Sequence, residues 1–270
     1  MSTLIIASTK DTAGMNIARK LVEKEGFTET GKDYREQQIL KSKSVLLTYI
    51  DEETIHSTQP EISLPFDDVI FASKHKSDSG RPNLTVHVTG NLEDDYSHDG
   101  EPKSLAWASP QKIKSVLASL QKSKLDQNLV YSVSLEATHH GPTSFDVPVT
   151  FVEVGGSEKQ WLDDTACEVA ADAVWVAATQ ESISRSVVGF GGGHYASKLT
   201  RYTLGSDVAV GHIMPKYAMK ELNVGVVKMM IGKTRGGCDL AVLEKKGIHG
   251  EDRRKLVKIL KDLDLETIQI

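Results

Sequence analysis

Residues 3–26 read TLIIASTKDTAGMNIARKLVEKEG, and they decide the fold class. Thr3 to Ser8 is a short apolar run suited to a strand buried on both faces. Thr12, after a polar turn, can cap a helix in which Met15, Ile17, Ala18, Leu21 and Val22 fall at helical spacing, up to the breaker Gly26. Strand, loop and helix in immediate succession open a layered α/β domain.

The alternation continues outward from this unit. Strands are expected at 44–50 (SVLLTYI), 69–73 (VIFAS), 84–89 (LTVHVT), 130–135, 149–154, 187–190, 207–213 and, as the last one, 240–243. Helices are expected from Ser109 or Pro110, with Ile113, Val116, Leu117 and Leu120 on one face, from Ser157 through about Gln180, and from Glu251 to Leu263, closing the chain. Residues 91–104 are polar and loop-like. Several strands are apolar on both faces, which favours a mixed, largely parallel sheet flanked by helices. No internal repeat or long linker interrupts the 270 residues, so 1–270 is expected to form a single domain.

Composition narrows the function. Two cysteines, Cys167 and Cys238, make neither a disulfide framework nor a cysteine-rich zinc site. The N-terminus shows no basic leader. The longest apolar stretch, AADAVWVAA at 170–178, carries Asp172 and is too short to span a bilayer. A soluble, reduced, intracellular protein is the expectation. The net charge of −5 speaks against a surface built as a whole to bind nucleic acid, but local basic faces exist at 73–81 (SKHKSDSGR) and 251–261 (EDRRKLVKILK). With 6% aromatics and no RNP-like or KH-like motif, a non-catalytic RNA-binding module is disfavoured. GKTRGG at 232–237 lacks the upstream glycine of a Walker A, GFGGGH at 189–194 is no dinucleotide fingerprint, and no GxSxG occurs.

The histidines carry the chemistry. His75, His139, His140, His194 and His212 sit at or just beyond expected strand ends, and His87 lies two residues before one. Side chains gathered at strand ends suggest one convergent pocket. His56, His98 and His249 fit structural or exposed positions. In SLEATHHGPT (134–143), Glu136 precedes two adjacent imidazoles and Gly141-Pro142 fixes the turn. An imidazole there can act as a base, a metal ligand or a donor, and Glu136 can orient one, bind metal or activate water. Gly191 to Gly193 before His194 offer backbone N–H groups to a phosphate or an oxyanion. No HExxH or His-x-His spacing decides whether a metal is present.

Four stretches, SKHKSDSGRPNLTVHVTGN (73–91), SLEATHHGPT (134–143), VEVGGSEKQW (152–161) and VVGFGGGHYA (187–196), resemble in order and spacing the archaeal and plant-type D-aminoacyl-tRNA deacylase family. The resemblance runs over nearly the whole chain. It implies an esterase that removes D-amino acids from mischarged tRNA. It also implies zinc dependence, broad side-chain tolerance and a phosphorylase/hydrolase-like α/β fold similar to peptidyl-tRNA hydrolase. Plant members are linked to aldehyde-modified substrates.

Carried over by motif, the resemblance implies Glu136, Thr138, His139, His140 and His194 as catalytic. Lys74, His75, Ser79, His87, Asn91, Gly141, Gly191, Gly192 and Tyr195 become substrate contacts, and His75, His139, His140 and His194 zinc ligands. Lys74 departs from an expected arginine, which would remove a bidentate phosphate fork. The expected partner is the acceptor end of D-aminoacyl-tRNA, met by a cytoplasmic monomer that uses neither DNA nor membrane. Three routes to the ester stay open: water activated by zinc, a histidine base with glycine-loop N–H groups on the oxyanion, or help from the ribose 2′-hydroxyl. A nucleoside or nucleotide phosphorylase-like enzyme of the same broad fold is the competing reading.

Overall fold

The opening unit folds as its sequence reads. In the computed structural model, which describes residues 1–77, 79–94, 100–180 and 182–270, β1 (Thr3–Ser8) is buried throughout and α1 (Thr12–Glu25) follows it. Asp11, not Thr12, is the cap: its carboxylate accepts the Gly14 N–H at 2.8 Å. Gly26 closes the helix with φ 65°. Gly14 is required by packing, because a Cβ there would lie 2.5 Å from the Ala72 carbonyl oxygen.

The chain continues through β2 (Thr28–Tyr34), β3 (Gln37–Ser42), β4 (Val45–Ile50), β5 (Asp68–Lys76), β6 (Asn83–His87), β7 (Gly90–Asn91) and β8 (Ser104–Leu105). Next come α2 (Pro110–Asp126), β9 (Ser132–Leu135), β10 (Val149–Gly156), α3 (Glu158–Trp161), α4 (Asp164–Thr179), β11 (Arg185–Phe190) and α5 (Ser197–Leu204). The last elements are β12 (Val208–Met214), α6 (Val224–Gly232), β13 (Leu240–Leu243), α7 (Gly250–Asp262) and β14 (Glu266–Gln269).

Two main sheets result. The larger has the order β2-β3-β4-β1-β5-β10-β6-β9, with β4, β1, β5 and β10 mutually parallel and β6 running against β10. The smaller, β12-β11-β13-β14, is parallel throughout. One apolar cluster joins the larger sheet to one face of the smaller, through Val187, Val210 and Val242, and a second covers the smaller sheet's other face with Val188, Ala241 and Leu243. Helix α2 packs on β6 and on β12, tying the two together. This is a mixed α/β fold with a large, mostly parallel sheet flanked by helices. No helix among the described residues is long and apolar enough to cross a membrane.

Several expectations are corrected. The helix expected over 157–180 is two: Asp163 breaks it and caps α4, accepting from Thr165 and Ala166 N–H at 3.1 Å each. Strand β13 is not the last and α7 does not close the chain, because β14 pairs with β13. The hairpin β2–β3 and the helices α5 and α6 were not anticipated. His98, with the middle of the polar 91–104 stretch, lies outside the described residues.

Candidate active site

Strand register builds the site. Side chains two apart on a strand share a face. On β5 that face carries Phe71, Ser73 and His75. The pairing of β10 places Phe151, Glu153 and Gly155 beside them, and β6 adds His87, Thr85 and Asn83 opposite these in turn. Ser134 of β9 pairs with Thr85, so Glu136, two residues on, joins the same face with its N–H bonded to Val86 O. The convergence therefore occurs on one face of the sheet rather than only at its strand ends. Phe151 floors it, stacked on Phe71 at 4.7 Å and on the His87 ring at 5.4 Å.

Two loops cover this face. Ala137 N–H donates to His194 O at 2.8 Å and Ala196 N–H to Leu135 O at 3.0 Å, pinning the segment after β11 across the end of β9. Thr89 bridges to His139, which fixes the THH turn. As a result His75, His87, His139, His140 and His194 form a continuous set of rings, with centroids 4.3 Å apart for both His87–His139 and His139–His140, and 4.5 Å for His139–His194.

At the centre is Glu136, 2% exposed, whose two carboxylate oxygens have no hydrogen-bond partner among the described residues. Oε1 lies 3.3 Å from His75 Nδ1; Oε2 lies 3.4 Å from His194 Nε2, 3.7 Å from His139 Nε2 and 3.8 Å from His87 Nε2. The tautomers follow from the other ring nitrogens. His87, His139 and His140 each place Nδ1 against a backbone carbonyl, of Val88, Ala137 and Gly141, at 3.2, 2.8 and 2.6 Å. A carbonyl only accepts, so each Nδ1 carries a proton. His139 and His140 are neutral and present a bare Nε2 lone pair; on His87 burial opposes the charge, but the neighbouring carboxylates of Glu153 and Glu136 raise it above the usual histidine value, so its Nε2 becomes a lone pair only when that proton leaves.

Electrostatics separates the rings. Burial, then the neighbouring imidazoles, holds His139 well below the usual histidine range; burial, helped by His87, pulls His140 down to about 3. His75 goes the other way: burial opposes its charge, but the 3.1 Å bond to Glu153 and the charges of Glu153 and Glu136 raise it to about 9. Charged His75 donates its second N–H to Tyr195 OH at 2.9 Å, and Asn83 donates to the same oxygen at 2.8 Å. Burial would lift the Glu153 carboxyl, yet its bond to His75 and the His87 ring 3.7 Å away hold it well below the ordinary value.

Among the described residues three groups of side chains can hold a metal ion, the ligand atoms of each all within 4.8 Å of one another: His87, His139 and His140; His75, Glu136 and His194; His87, Glu136 and Glu153. The fit is chemical as well as geometric. A buried carboxylate that makes no hydrogen bond and faces the lone pair of His139 is suited to a cation between them. Ring N–H groups held by carbonyls are the usual outer support of metal-bound histidine.

Two cavities open on the cluster and share His139, His140 and His194. One, about 590 Å³, is lined by Lys74, His75, Ser77, Ser79, Glu153 and Tyr195 among others; the second, about 420 Å³, by Gly90, Asn91, Leu92, Glu93, Thr138, Tyr217 and Ala218.

Several expected roles change. The His87 side chain is 0% exposed and reaches a ligand only through the cluster. Thr138 lines a cavity, but its hydroxyl accepts Ile213 N–H at 3.0 Å and faces His212 at 3.3 Å. Gly191 N–H donates to Met214 O at 2.9 Å and is not free for an oxyanion. Gly191 and Gly192, at φ 100° and 79°, pack against Ile248 and Glu244, where a Cβ would clash at 2.9 Å, so they position His194. Gly141 borders neither cavity. His212 is buried behind Thr138, outside the ring. Lys74 pairs with Glu53 at 3.3 Å. Glu153, Asn83 and Tyr217 were not anticipated. A glutamate inside the apolar run VTFVEV was the signal for the first.

A family model described as D-aminoacyl-tRNA deacylase matches residues 62–268. The D-aminoacyl-tRNA deacylase of Methanosarcina mazei is 36% identical over 274 residues, covering 98% of this chain and 91% of the relative. That of Pyrococcus furiosus is 34% identical, with 98% and 99% covered. A crystal structure described as a conserved protein of unknown function superposes with a TM-score of 0.91 at 29% identity, over 99% of this chain and 95% of the other.

Proposed function

The chain belongs to the D-aminoacyl-tRNA deacylase family, and from that premise we propose how its histidine-lined face performs the reaction. The enzyme hydrolyses the ester joining a D-amino acid to tRNA, releasing both and removing mischarged tRNA from translation. The observation that carries the reading of the site is the buried Glu136 carboxylate, without a hydrogen bond among the described residues and ringed by imidazoles.

The residues fit zinc. We assign His87, His139 and His140 as the imidazoles that hold it through Nε2, with Glu136 Oε2 beside them. This departs from the set implied by the resemblance. His75 commits one N–H to Glu153 and the other ring nitrogen to Tyr195, and the His194 side chain is 35% exposed, at the mouth. Zinc, when bound, supplies Lewis acidity toward water and carbonyl oxygen.

The chain supplies the rest. His194 takes the proton from the attacking water through Nδ1 while Nε2–H faces Glu136 at 3.4 Å, the carboxylate orienting the base. Cationic His75, bonded to Tyr195, leaves the tyrosine's own O–H to donate toward the substrate oxygens. The terminal adenosine occupies the 590 Å³ cavity beside Lys74 and Ser79, and the amino acid the 420 Å³ cavity, where Leu92, Tyr217 and Ala218 give apolar walls and Glu93 faces the ammonium. Few specific contacts to the side chain suit broad tolerance. The expected partner is the acceptor end of the tRNA, met by a monomer in the cytoplasm where tRNA is found.

The test is release of labelled amino acid from D- and L-tyrosyl-tRNA, with and without chelation and zinc restoration. Release from the D ester alone, lost on chelation and recovered with zinc, is expected. Release that survives complete chelation removes zinc from the mechanism, and no release from either ester by folded protein refutes the activity.

A further inference from the structure

A third cavity, about 820 Å³, lies beside the site and takes no part in the account above. Its walls are Ser132, Val133 and Ser134 of β9, Arg81 and Asn83 around the start of β6, and Thr200 and Arg201 of α5, with Tyr195 between. Ser79 and Tyr195 line both this cavity and the 590 Å³ one, so the two are continuous. Tyr195 is the post at the junction, its hydroxyl held by Asn83 and His75.

Two features identify what the groove takes. Arg81 and Arg201 are both exposed, and neither guanidinium makes an ion pair or a hydrogen bond among the described residues. Four of the other arginines are ion-paired: Arg19 with Glu23 and Asp164, Arg35 with Glu52, Arg185 with Asp239 and Glu266, Arg235 with Asp68; Arg253 and Arg254 of α7 are not, among the described residues. Two unpaired guanidinium groups in one groove, on a chain of net charge −5, form a local anion-binding surface. The second feature is the edge. Strand β9 pairs only with β6, so Val133 turns its N–H and C=O away from the sheet, toward the cavity. Guanidinium groups and free backbone N–H are what phosphate oxygens bind.

We propose that this groove binds the single-stranded 3′ end of tRNA just before the terminal adenosine, with Arg81 and Arg201 on its phosphates. The proposal rests on the deacylase reading above and adds the path by which the strand reaches the site: over Arg201 and Arg81, past Tyr195, into the cavity of Lys74 and His75.

Arg81→Gln, Arg201→Gln and the double variant test it with two substrates, D-tyrosyl-tRNA and D-tyrosyl-adenosine, which lacks everything upstream. The double variant raises KM for the tRNA ester roughly tenfold, and the ratio of kcat/KM between tRNA ester and adenosine ester falls with it. The slope of log(kcat/KM) against log salt flattens by about 0.7 for each arginine removed. Arg19→Gln, the same charge loss on the exposed face of α1, changes neither. Anisotropy of a labelled CCA trinucleotide reads the groove without catalysis: parent binding weakened in both single variants is expected. An unchanged ratio, slope and trinucleotide affinity in the double variant overturns the proposal, and an equal loss on both substrates does so too. Trinucleotide binding intact while the parent cleaves no D ester would overturn the deacylase reading and leave the groove standing.

Discussion

Zinc binding at the Glu136 cluster has a thermal signature that needs no substrate. A ligand present at 100 times its Kd stabilises the native state by about 2.7 kcal/mol. For 270 residues the unfolding entropy near the midpoint is about 0.6 kcal/mol/K, so the midpoint rises by about 5 °C. Glu136→Gln keeps the shape and removes one negative charge 3.7 Å from His139 Nε2 and 3.8 Å from His87 Nε2. Losing a carboxylate from the immediate surroundings of a metal weakens affinity by 10- to 100-fold or more. At the upper figure the same zinc concentration equals the new Kd, the stabilisation falls to about 0.4 kcal/mol, and the rise drops below about 1 °C. The assay is differential scanning calorimetry of chelated protein with zinc added back, and the variant must still unfold cooperatively in chelator. A rise of equal size in parent and variant refutes the assignment of Glu136 to the metal, and no rise in the parent refutes the site.

Three further outcomes follow from particular contacts. His194→Gln lowers kcat on D-tyrosyl-tRNA by about 10²- to 10⁴-fold yet keeps the zinc-induced rise in midpoint, which separates base from ligand; loss of that rise would make His194 a ligand. His212 is buried, and burial with the nearby Lys233 charge lowers it to about 4; the unfolded chain therefore takes up its proton first, and stability present above about pH 6.5 declines by up to about 3 kcal/mol on the way to pH 4. Urea midpoints of parent and His212→Gln should converge as pH falls over that window, and parallel curves would contradict the assignment. Asp163→Ala removes two N-terminal bonds of α4 and the acceptor of Tyr131 OH at 2.9 Å, and should cost about 1–2 kcal/mol in urea unfolding.

The fold was legible wherever burial imposed a pattern. β1, β4, β5 and β10 are apolar on both faces because they lie inside a helix-covered parallel sheet, and their sequences read as strands without ambiguity. The hairpin β2–β3 was illegible for the opposite reason. Strand β2 is largely exposed and β3 only partly buried, and the turn places Arg35 and Glu36 at φ 48° and 66° without the Asn-Gly that normally announces such a turn. The break between α3 and α4 was hidden because Trp161, Leu162 and Ala166 keep an apolar helical spacing across it, and only the capping bonds of Asp163 show that it starts a new helix. The division into two sheets follows from long-range pairing that no local window contains.

For the site, residue types were legible and their geometry was not. The five clustered histidines were all singled out, because imidazoles beside glycines and strand ends are rare as solvent decoration. What one chain segment cannot reveal is which carboxylates those rings face. Glu136 was found only because it lies next to the histidine pair. Glu153 was missed because its partners, His75 and Thr85, come from strands 68 or more residues away in sequence. Yet the strand around it, VTFVEV, buries a charge between valines, and a buried carboxylate costs several kcal/mol unless something answers it. For Glu153 that answer is the charged His75. For Glu136 the same cationic ring stands 3.3 Å away, yet neither carboxylate oxygen makes a hydrogen bond among the described residues, and a buried carboxylate left in that condition, beside the histidines that two cavities share, is the strongest physical reason to place the chemistry there.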